Sequence, residues 1–243
     1  MELAGRVVLV TGAGHRLGRA IALAVARRGA HLGVHYPASA AEADATVGAA
    51  LELGVQAVSF QADLRDAHAA RALPGRVARY FGRLDVLINS AGIMTRAAVE
   101  ETTPELWDDV MAVNLRAGFF TVQGALPWLR EARGKVVNLA DVGGLEPWPR
   151  YAAHCISKAG VVMLTETLAR ALAPEVTVNA VAPGAVLPPG DWDEASRAHL
   201  ARTTPLGRLG SPDDVTGAVL YLLEQGDYVT GTTLVVDGGR LLR

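Results

Sequence analysis

The sequence contains only one cysteine, Cys155, among its 243 residues, which excludes an intrachain disulfide and is typical of a protein from a reducing compartment. Neither sign of charge is in excess, since 23 basic residues oppose 25 acidic ones and the formal net charge is −2. This balance gives no electrostatic reason to expect a nucleic acid or an anionic membrane as partner, and we expect a small-molecule substrate instead. The first residues lack the basic flank and the long apolar stretch of a signal peptide, so we expect a complete, cytoplasmic chain.

Nothing in the composition divides the chain into parts. It has no linker rich in proline, glycine and serine, no block of like charge and no internal repeat. Half of the residues are hydrophobic, so a chain of this length can bury a large core without a disulfide or a metal ion. We therefore predict one domain that spans residues 1–243.

Short apolar runs alternate along the chain with longer segments of helical period. Most runs are continuously apolar, as strands buried on both faces of a parallel sheet should be. The predicted strands are residues 7–10, 31–35, 55–60, 86–89, 135–139, 176–182 and 233–236, and crossover helices are expected within 16–28, 104–131 and 152–172. This alternation predicts an α/β fold, a single doubly wound parallel sheet with helices on both faces. Ligands then bind at the carboxyl ends of the strands.

One segment, residues 188–210, interrupts this alternation. It holds several prolines and glycines and a short, mostly polar helical stretch around residues 193–202. We interpret it as a substrate lid, because long loops in compact domains are often functional, while a surface excursion without a special role is the alternative.

A glycine-rich turn follows the first predicted strand and opens the first predicted helix. It comprises Thr11, Gly12, Ala13, Gly14, His15, Arg16, Leu17 and Gly18. Glycines let a backbone turn tightly and approach a pyrophosphate, and a helix N-terminus supplies free N–H groups and a favourable dipole. In this position between strand and helix, the turn predicts a Rossmann-type dinucleotide-binding domain.

With this turn, the chain resembles the short-chain dehydrogenase/reductase family, and further motifs extend the resemblance to the C-terminus. They are Ala62-Asp63-Leu64, Asn89-Ser90-Ala91-Gly92, Asn114 in a helix, Ser157-Lys158, Pro183-Gly184, Thr230-Gly231 and Val236-Asp237-Gly238-Gly239. The resemblance implies that Asp63 meets the adenine, that the Asn89–Gly92 turn lies along the cofactor, and that Lys158 holds the nicotinamide ribose. The residues expected to contact the dinucleotide are Gly12, Gly14, His15, Arg16, Leu17, Gly18, His35, Ser39, Asp63, Leu64, Asn89, Ala91, Gly92, Lys158, Pro183 and Gly184.

The choice between NAD and NADP depends on the end of the second strand. A carboxylate there accepts hydrogen bonds from the ribose 2′-hydroxyl but repels a 2′-phosphate. The strand ends without an acid, whereas Arg16, which replaces the middle glycine of the family's turn, together with His35 and Ser39 offers donors suited to a phosphate. We predict NADPH/NADP as cofactor. The alternative for Arg16 is a solvated cation at the start of a helix.

The expected catalytic residues are Asn114, Asp141, His154 and Lys158. In the family, a tyrosine four residues before the lysine donates a proton, and a serine thirteen residues before that tyrosine helps to orient the substrate. This sequence has His154 and Asp141 at those two positions. An imidazole can act as acid or base near neutral pH, so an Asp141–His154 pair can replace the serine–tyrosine pair as a proton path.

Two alternatives for the histidine stay open. His154 is a structural polar residue in a site that binds nucleotide with little or no turnover, or Tyr151, one helical turn earlier, supplies the phenol. Asn114 can bond only the neighbouring backbone, and Lys158 can be a solvated charge. Trp148 is expected to be a packing residue.

Asp141 together with the Thr-Gly-x-x-x-Arg-x-Gly turn resembles the pteridine reductase and dihydromonapterin reductase branch of the family. Residues 35–43 and 237–243 also resemble those reductases, although Ala38 stands where they often carry an arginine. The resemblance implies an NADPH-dependent reductase of a pterin-like or related conjugated substrate. Reduction of ordinary ketones or 3-oxoacyl groups is the first alternative, and NADP binding with little or no catalysis is the second. The family also implies a homo-oligomer, commonly a tetramer paired through the long helices.

Overall fold

The computed structural model describes residues 1–187 and 193–242. Seven strands lie in one sheet: β1 (Val7–Val10), β2 (His31–Tyr36), β3 (Ala57–Gln61), β4 (Val86–Asn89), β5 (Lys135–Leu139), β6 (Thr177–Pro183) and β7 (Thr233–Val236). The helices are α1 (Arg16–Ala26), α2 (Ala40–Glu52), α3 (Ala67–Phe81), α4 (Pro104–Met111), α5 (Ala117–Ala132), α6 (Ala152–Leu172), α7 (Glu194–Thr203) and α8 (Pro212–Glu224).

The sheet is parallel throughout and has the strand order β3-β2-β1-β4-β5-β6-β7. The predicted fold class is therefore confirmed. The order reverses between β1 and β4, which are neighbours in the sheet although two strands separate them in the chain. Their connections leave in opposite directions, and a crevice opens at the carboxyl ends of these two strands.

The central strands contribute side chains to two apolar cores, one on each face of the sheet. In β1, Val8 and Val10 belong to the core on one face, and Val7 and Leu9 belong to the core on the other face, as the two-residue period of a strand requires. Helices α1, α2 and α8 cover the first face, and α3, α5 and α6 cover the second. Burial on both faces explains why the strands are continuously apolar.

The segment predicted as one helical region, residues 104–131, is divided. Helices α4 and α5 are joined by a π-helical turn, Ala112–Arg116, which contains Asn114. A π-turn adds one residue to a helical turn and disturbs the regular hydrogen bonds, and such turns are frequent at functional sites.

The predicted lid is described only in part. Residues 188–192 lie outside the described residues. Helix α7 differs by one residue at each end from the helical stretch predicted at 193–202. Its role as a lid stays a prediction. In the described ranges, no helix combines the length and the apolar character needed to cross a membrane.

Candidate active site

The glycine-rich turn is packed so closely that two of its glycines leave no room for a side chain. A Cβ on Gly12, which has φ +65°, would lie 2.9 Å from Ala91 Cα, and a Cβ on Gly18 would collide with the carbonyl oxygen of Gly12. The turn after β1 therefore rests directly on the turn after β4, and both turns line the crevice.

Arg16 adopts a left-handed backbone conformation, with φ +49°, at the position where the family has a glycine. This conformation is unfavourable for a residue with a Cβ. Its guanidinium donates a hydrogen bond to the carbonyl oxygen of Leu187, in the segment that follows β6. Arg16 thus connects the glycine-rich turn with the segment that precedes the predicted lid.

His35 does not occupy the role predicted for it. Its ring is buried near the carboxyl end of β2. There, Nδ1 accepts a hydrogen bond from the Gly12 N–H at 3.0 Å, and Nε2 donates to the Ala62 carbonyl oxygen at 3.0 Å. Burial lowers the pKa of His35, against the raising effect of the Ala62 bond. The expectation that His35 donates to a phosphate is wrong, because both nitrogens are engaged; the ring instead supports the glycine-rich turn.

Three more of the predicted cofactor residues, His15, Ser39 and Asp63, lie in the segments that follow β1, β2 and β3. Ser39 is exposed before α2 and makes no capping bond, and His15 Nδ1 lies 3.5 Å from a carboxylate oxygen of Glu42. Asp63 is held by Arg65, whose NH2 lies 2.8 Å from it. Hydrogen bonds from Arg65 lower the pKa of Asp63. Glu42 was not predicted, and only its place six residues after the end of β2 hinted at it.

Other predicted cofactor residues lie behind the crevice. Asn89 donates to Asn138 at 3.0 Å and accepts from Thr121 at 2.8 Å, so its side chain joins β4 to β5 and α5. Leu64 is buried beside the same group, and the Gly14 carbonyl oxygen accepts from the Thr46 hydroxyl. These residues shape the site from within the protein.

The crevice forms a cleft of about 530 Å³. Predicted residues in its lining are Gly12, His15, Arg16, Leu17, Gly18, Ala91, Gly92, Asp141, His154, Lys158, Pro183 and Gly184. Predicted residues absent from its lining are Gly14, His35, Ser39, Asp63, Leu64, Asn89 and Asn114. The cleft thus brings the inner part of the glycine-rich turn to the expected catalytic groups.

His154 and Asp141 meet in this cleft. His154 Nε2 lies 3.8 Å from Asp141 Oδ1, and Nδ1 lies 3.3 Å from the Ile93 carbonyl oxygen. A carbonyl oxygen only accepts, so the proton of the neutral ring belongs on Nδ1, and Nε2 is left with a lone pair. Nε2 is buried without a hydrogen-bond partner among the described residues. Nε2 is therefore the ring nitrogen that no hydrogen bond from the described residues occupies.

Asp141 begins a 3-10 turn directly after β5. Its Oδ1 accepts a hydrogen bond from the Gly143 N–H at 2.7 Å, which fixes the carboxylate at the carboxyl end of the strand. The carboxylate still reaches the cleft, because about a quarter of the side chain is exposed.

Lys158 lies one helical turn after His154 on α6 and is buried. Its Nζ donates to the Leu139 carbonyl oxygen at 2.6 Å. Burial lowers the pKa of Lys158 from 10.5 to about 8, and the charge of Asp141 opposes part of this shift. Lys158 is therefore not a solvated surface charge.

Asn114 holds the segment after β4 against α6. Its Oδ1 accepts from the Ile93 N–H at 2.8 Å, while Nδ2 donates to the Ile93 carbonyl oxygen at 2.9 Å and to Ser157 Oγ at 3.0 Å. A Cβ on Gly92 would lie 3.4 Å from Asn114 Oδ1 and 3.6 Å from Lys158 Nζ. Asn114 thus positions the chain next to Lys158.

Several lining residues were not among the expected site residues, although Tyr151 was an alternative source of the phenol. Trp148, expected to be a packing residue, is part of the cleft wall and lies flat against His154. Tyr151 precedes α6, lines the same cleft and contacts Trp148 edge to face. Leu200 of α7 and Arg240 of the C-terminal turn complete the wall. The prolines on both sides of Trp148 were a weak sequence signal for its place in the site. No sequence signal pointed to Arg240, because it lies far along the chain from the other site residues.

Comparisons with known proteins agree with this geometry. A family model described as enoyl-(acyl carrier protein) reductase matches residues 12–240. The chain is similar to a 3-oxoacyl-(acyl-carrier-protein) reductase FabG of Staphylococcus aureus, with 37% identity over 238 residues that cover 95% of this chain and 96% of that protein. It is also similar to 3beta-hydroxysteroid dehydrogenase 1 of Eggerthella lenta, with 37% identity over 249 residues, 99% of this chain and 95% of that protein.

A solved structure gives the same result in three dimensions. A dehydrogenase/reductase from Sinorhizobium meliloti has a TM-score of 0.91 and 38% identity, over 98% of this chain and 96% of that one. Sequence and fold therefore agree over nearly the full length, and the chain belongs to the short-chain dehydrogenase/reductase family.

Proposed function

We propose that the protein is an NADP(H)-dependent oxidoreductase that interconverts a ketone and the corresponding secondary alcohol, with His154 exchanging the proton. The observation that carries the proposal is the position of His154, which lines the cleft with Nε2 3.8 Å from Asp141 Oδ1 and with Nδ1 directed at a carbonyl oxygen. The position of the usual tyrosine is thus occupied by a group that can act both as acid and as base.

The residues of the cleft fit a dinucleotide. Gly12 packs closely on Ala91, and its lack of a side chain leaves backbone groups uncovered next to the N-terminus of α1. This arrangement suits a pyrophosphate. Gly92 and Lys158 stand together deeper in the cleft, where a ribose and a nicotinamide can be held. When bound, the cofactor supplies the hydride.

The preference for NADP rests on the surroundings of the adenosine ribose. Residues 36–39, at the end of β2 and just after it, include no carboxylate, and Arg16 lines the cleft with a guanidinium that matches a phosphate. Glu42, beside His15, is the acid that opposes this preference, and its ion contact with His15 offsets part of its charge when that imidazole is protonated.

Replacing Arg16 tests the cofactor proposal. Arg16→Gly restores the family's residue at a left-handed position, so the fold tolerates it, but the guanidinium is lost. We expect NADPH affinity to fall by about tenfold or more and NADH affinity to change by less than about twofold, because only NADPH carries the 2′-phosphate. Calorimetric titration with both cofactors measures this, with Arg19→Ala on the same helix as control. Equal losses for both cofactors would contradict the assignment.

The chain's own residues account for the proton. In reduction, the His154 imidazolium donates its Nε2 proton to the substrate oxygen as the carbonyl carbon receives hydride. In oxidation, the neutral Nε2 takes the proton from the hydroxyl. The Asp141 carboxylate lies beside Nε2, where it attracts the ring while the ring carries the proton. The Ile93 carbonyl oxygen contacts the ring at Nδ1, and Asn114 holds Ile93 through two hydrogen bonds.

A ketone substrate is supported by the named relatives, which are a 3-oxoacyl reductase and a hydroxysteroid dehydrogenase. It also agrees with the cleft wall, where Met94, Trp148, Leu187 and Leu200 present apolar surface. A pterin-like substrate is the second candidate. The observation that favours it is Asp141, whose partly exposed carboxylate can accept hydrogen bonds from an amino-pyrimidine edge.

A substrate panel separates these candidates. A 3-oxoacyl thioester, a 3-ketosteroid and a dihydropterin are assayed with NADPH, on the natural protein and on Asp141→Ser. We expect turnover of the ketones, and its retention in Asp141→Ser. A preference for the dihydropterin that Asp141→Ser abolishes would establish the second candidate. Tight NADPH binding without turnover of any compound would instead support a binding protein without catalysis.

A further inference from the structure

The orientation of the His154 ring depends on few hydrogen bonds. Nδ1 makes one long contact of 3.3 Å with Ile93, and Nε2 has no hydrogen-bond partner in the described part of the chain. A proton donor must nevertheless be held within a fraction of an ångström and a few degrees of its working position. Something besides hydrogen bonding must therefore fix the ring.

Trp148 supplies this contact. Its indole is parallel to the His154 imidazole, with an angle of 7° between the planes and 6.2 Å between the ring centroids. A flat neighbour of this size restricts rotation of the imidazole out of its plane. Trp148 can do so only if the indole itself is held, because it stands in a loop before α6.

Glu146 holds the indole. Its Oε1 accepts a hydrogen bond from Trp148 Nε1 at 2.7 Å, a length typical of bonds to a charged acceptor. The backbone of Glu146 is fixed in turn, since its N–H donates to the Val142 carbonyl oxygen at 2.8 Å. Arg240 Nε, in the C-terminal turn, lies 4.0 Å from the same Oε1.

We propose that Glu146 is a positioning residue for proton transfer, which fixes Trp148 and thereby fixes the His154 ring. Glu146 touches neither of the reacting atoms of this mechanism, and it acts through the indole. The inference rests on the proposed role of His154 and extends it to a residue for which the family resemblance gave no role. Arg240 adds charge balance to the carboxylate from 94 residues away in the chain.

The kinetics of variants at Glu146 and Trp148, measured with a preferred substrate of the panel, test the proposal. Glu146→Ala is expected to lower kcat by about tenfold while the KM values change by less than about twofold, because the reacting groups are misaligned and the binding surfaces remain. Glu146→Gln should restore most of kcat, since its amide oxygen also accepts from Trp148 Nε1. Adding Glu146→Ala to Trp148→Phe should cause no further loss, because the two residues act as one unit. Glu52→Ala, at an exposed site, is the control.

Nuclear magnetic resonance of the His154 ring gives a readout that needs no activity. The indole ring current should move the His154 ring-proton signals, which are assigned by their loss in His154→Gln. We expect Glu146→Ala to shift these signals toward those of Trp148→Leu, and Glu146→Gln to leave them in place. Unchanged signals in Glu146→Ala, or a loss confined to KM, would overturn the positioning role. If the natural protein turns over no substrate, the proposed function fails. The ring-proton signals of His154 in Glu146→Ala then still show whether Glu146 positions the ring.

Discussion

Burial decides the behaviour of two basic side chains, Lys158 and His35. Lys158 is removed from water and bonded to the Leu139 carbonyl oxygen, and His35 is enclosed between the glycine-rich turn and Ala62. Neither group gains a carboxylate in hydrogen-bond contact. In both cases the charged form is therefore disfavoured, and each leaves a signature in the dependence of stability on pH.

Lys158→Met is expected to stabilise the protein while it impairs turnover. The drop in the pKa of Lys158 from 10.5 to about 8 corresponds to about 3 kcal/mol, and the lost bond to Leu139 offsets about 1 kcal/mol, so the free energy of unfolding should rise by about 2 kcal/mol at neutral pH.

The sign of this effect can be checked by denaturant titrations. Between pH 8 and 10.5 the unfolded chain binds more protons than the folded one, so the stability of the natural protein should rise across this window. The variant should lack that rise. If Lys158→Met were less stable than the natural protein at neutral pH, this would contradict the claim that burial of the Lys158 charge destabilises the fold.

His35 should make the protein sensitive to acid. Its pKa is lowered below 6.5 mainly by burial, so the unfolded chain binds the proton first as the pH falls. Stability that is complete above pH 6.5 should therefore decline below it, and His35→Asn, which keeps an acceptor near the Gly12 N–H, should remove this part of the decline. Urea midpoints between pH 5 and 8 measure it. Equal declines in both proteins would refute the assignment.

The sequence predicted some of these residue positions and missed others for identifiable reasons. Counting back from Lys158 placed Asp141 and His154 in one site, because the family resemblance fixes the spacing of strand end and helix. His35 was assigned wrongly, because β2 is buried on both faces and its pattern gives no sign of which side chain points where. Trp148 and Arg240 depend on tertiary contacts that no local pattern records.

Among the elements, the turn between β1 and α1 requires glycine at Gly12 and Gly18. Gly18→Ala would force a Cβ into the carbonyl group of Gly12, whereas Gly48→Ala in α2 would find nothing within 4 Å. We expect the first change to lower the free energy of unfolding by about 1–3 kcal/mol or more and to weaken dinucleotide binding.

The matched change, Gly48→Ala, should raise the free energy of unfolding by up to about 1 kcal/mol, because alanine favours a helix interior, and should leave binding intact. Chemical denaturation and calorimetric titration of both variants provide the measurement. If both variants lost dinucleotide affinity equally, the close packing of the turn would not be the cause.

Strands and crossover helices were predictable, since the apolar runs and helical periods are long and continuous. Four of the seven strands have the predicted bounds, and the other three differ from the prediction by one or two residues at an end. The π-turn Ala112–Arg116 was not predictable, because residues 104–131 keep one helical period through it. Its cause is tertiary: Asn114 is held by Ile93 and Ser157 rather than by a local signal.

In the assembled chain, α5 and α6 expose apolar side chains outside the core. Phe119 is 41% exposed, and Met163 is 60% exposed. We expect these helices to pair with a second copy of the chain in a homo-oligomer, for which the family resemblance suggests a tetramer. Met163→Glu should shift the assembly toward smaller species in sedimentation experiments, while Leu51→Glu at the end of α2, 53% exposed, should not. A monomeric natural protein would contradict this expectation.

The central claim is that His154, in a dinucleotide-binding cleft, exchanges the proton of the reaction. The most direct measurement compares hydride transfer and NADPH affinity in His154→Gln and Tyr151→Phe. We expect His154→Gln to lower turnover by at least about a hundredfold while NADPH affinity changes by less than about threefold, and Tyr151→Phe to keep most of the turnover. Full turnover in His154→Gln, with its loss in Tyr151→Phe, would contradict the claim and assign the proton to the phenol.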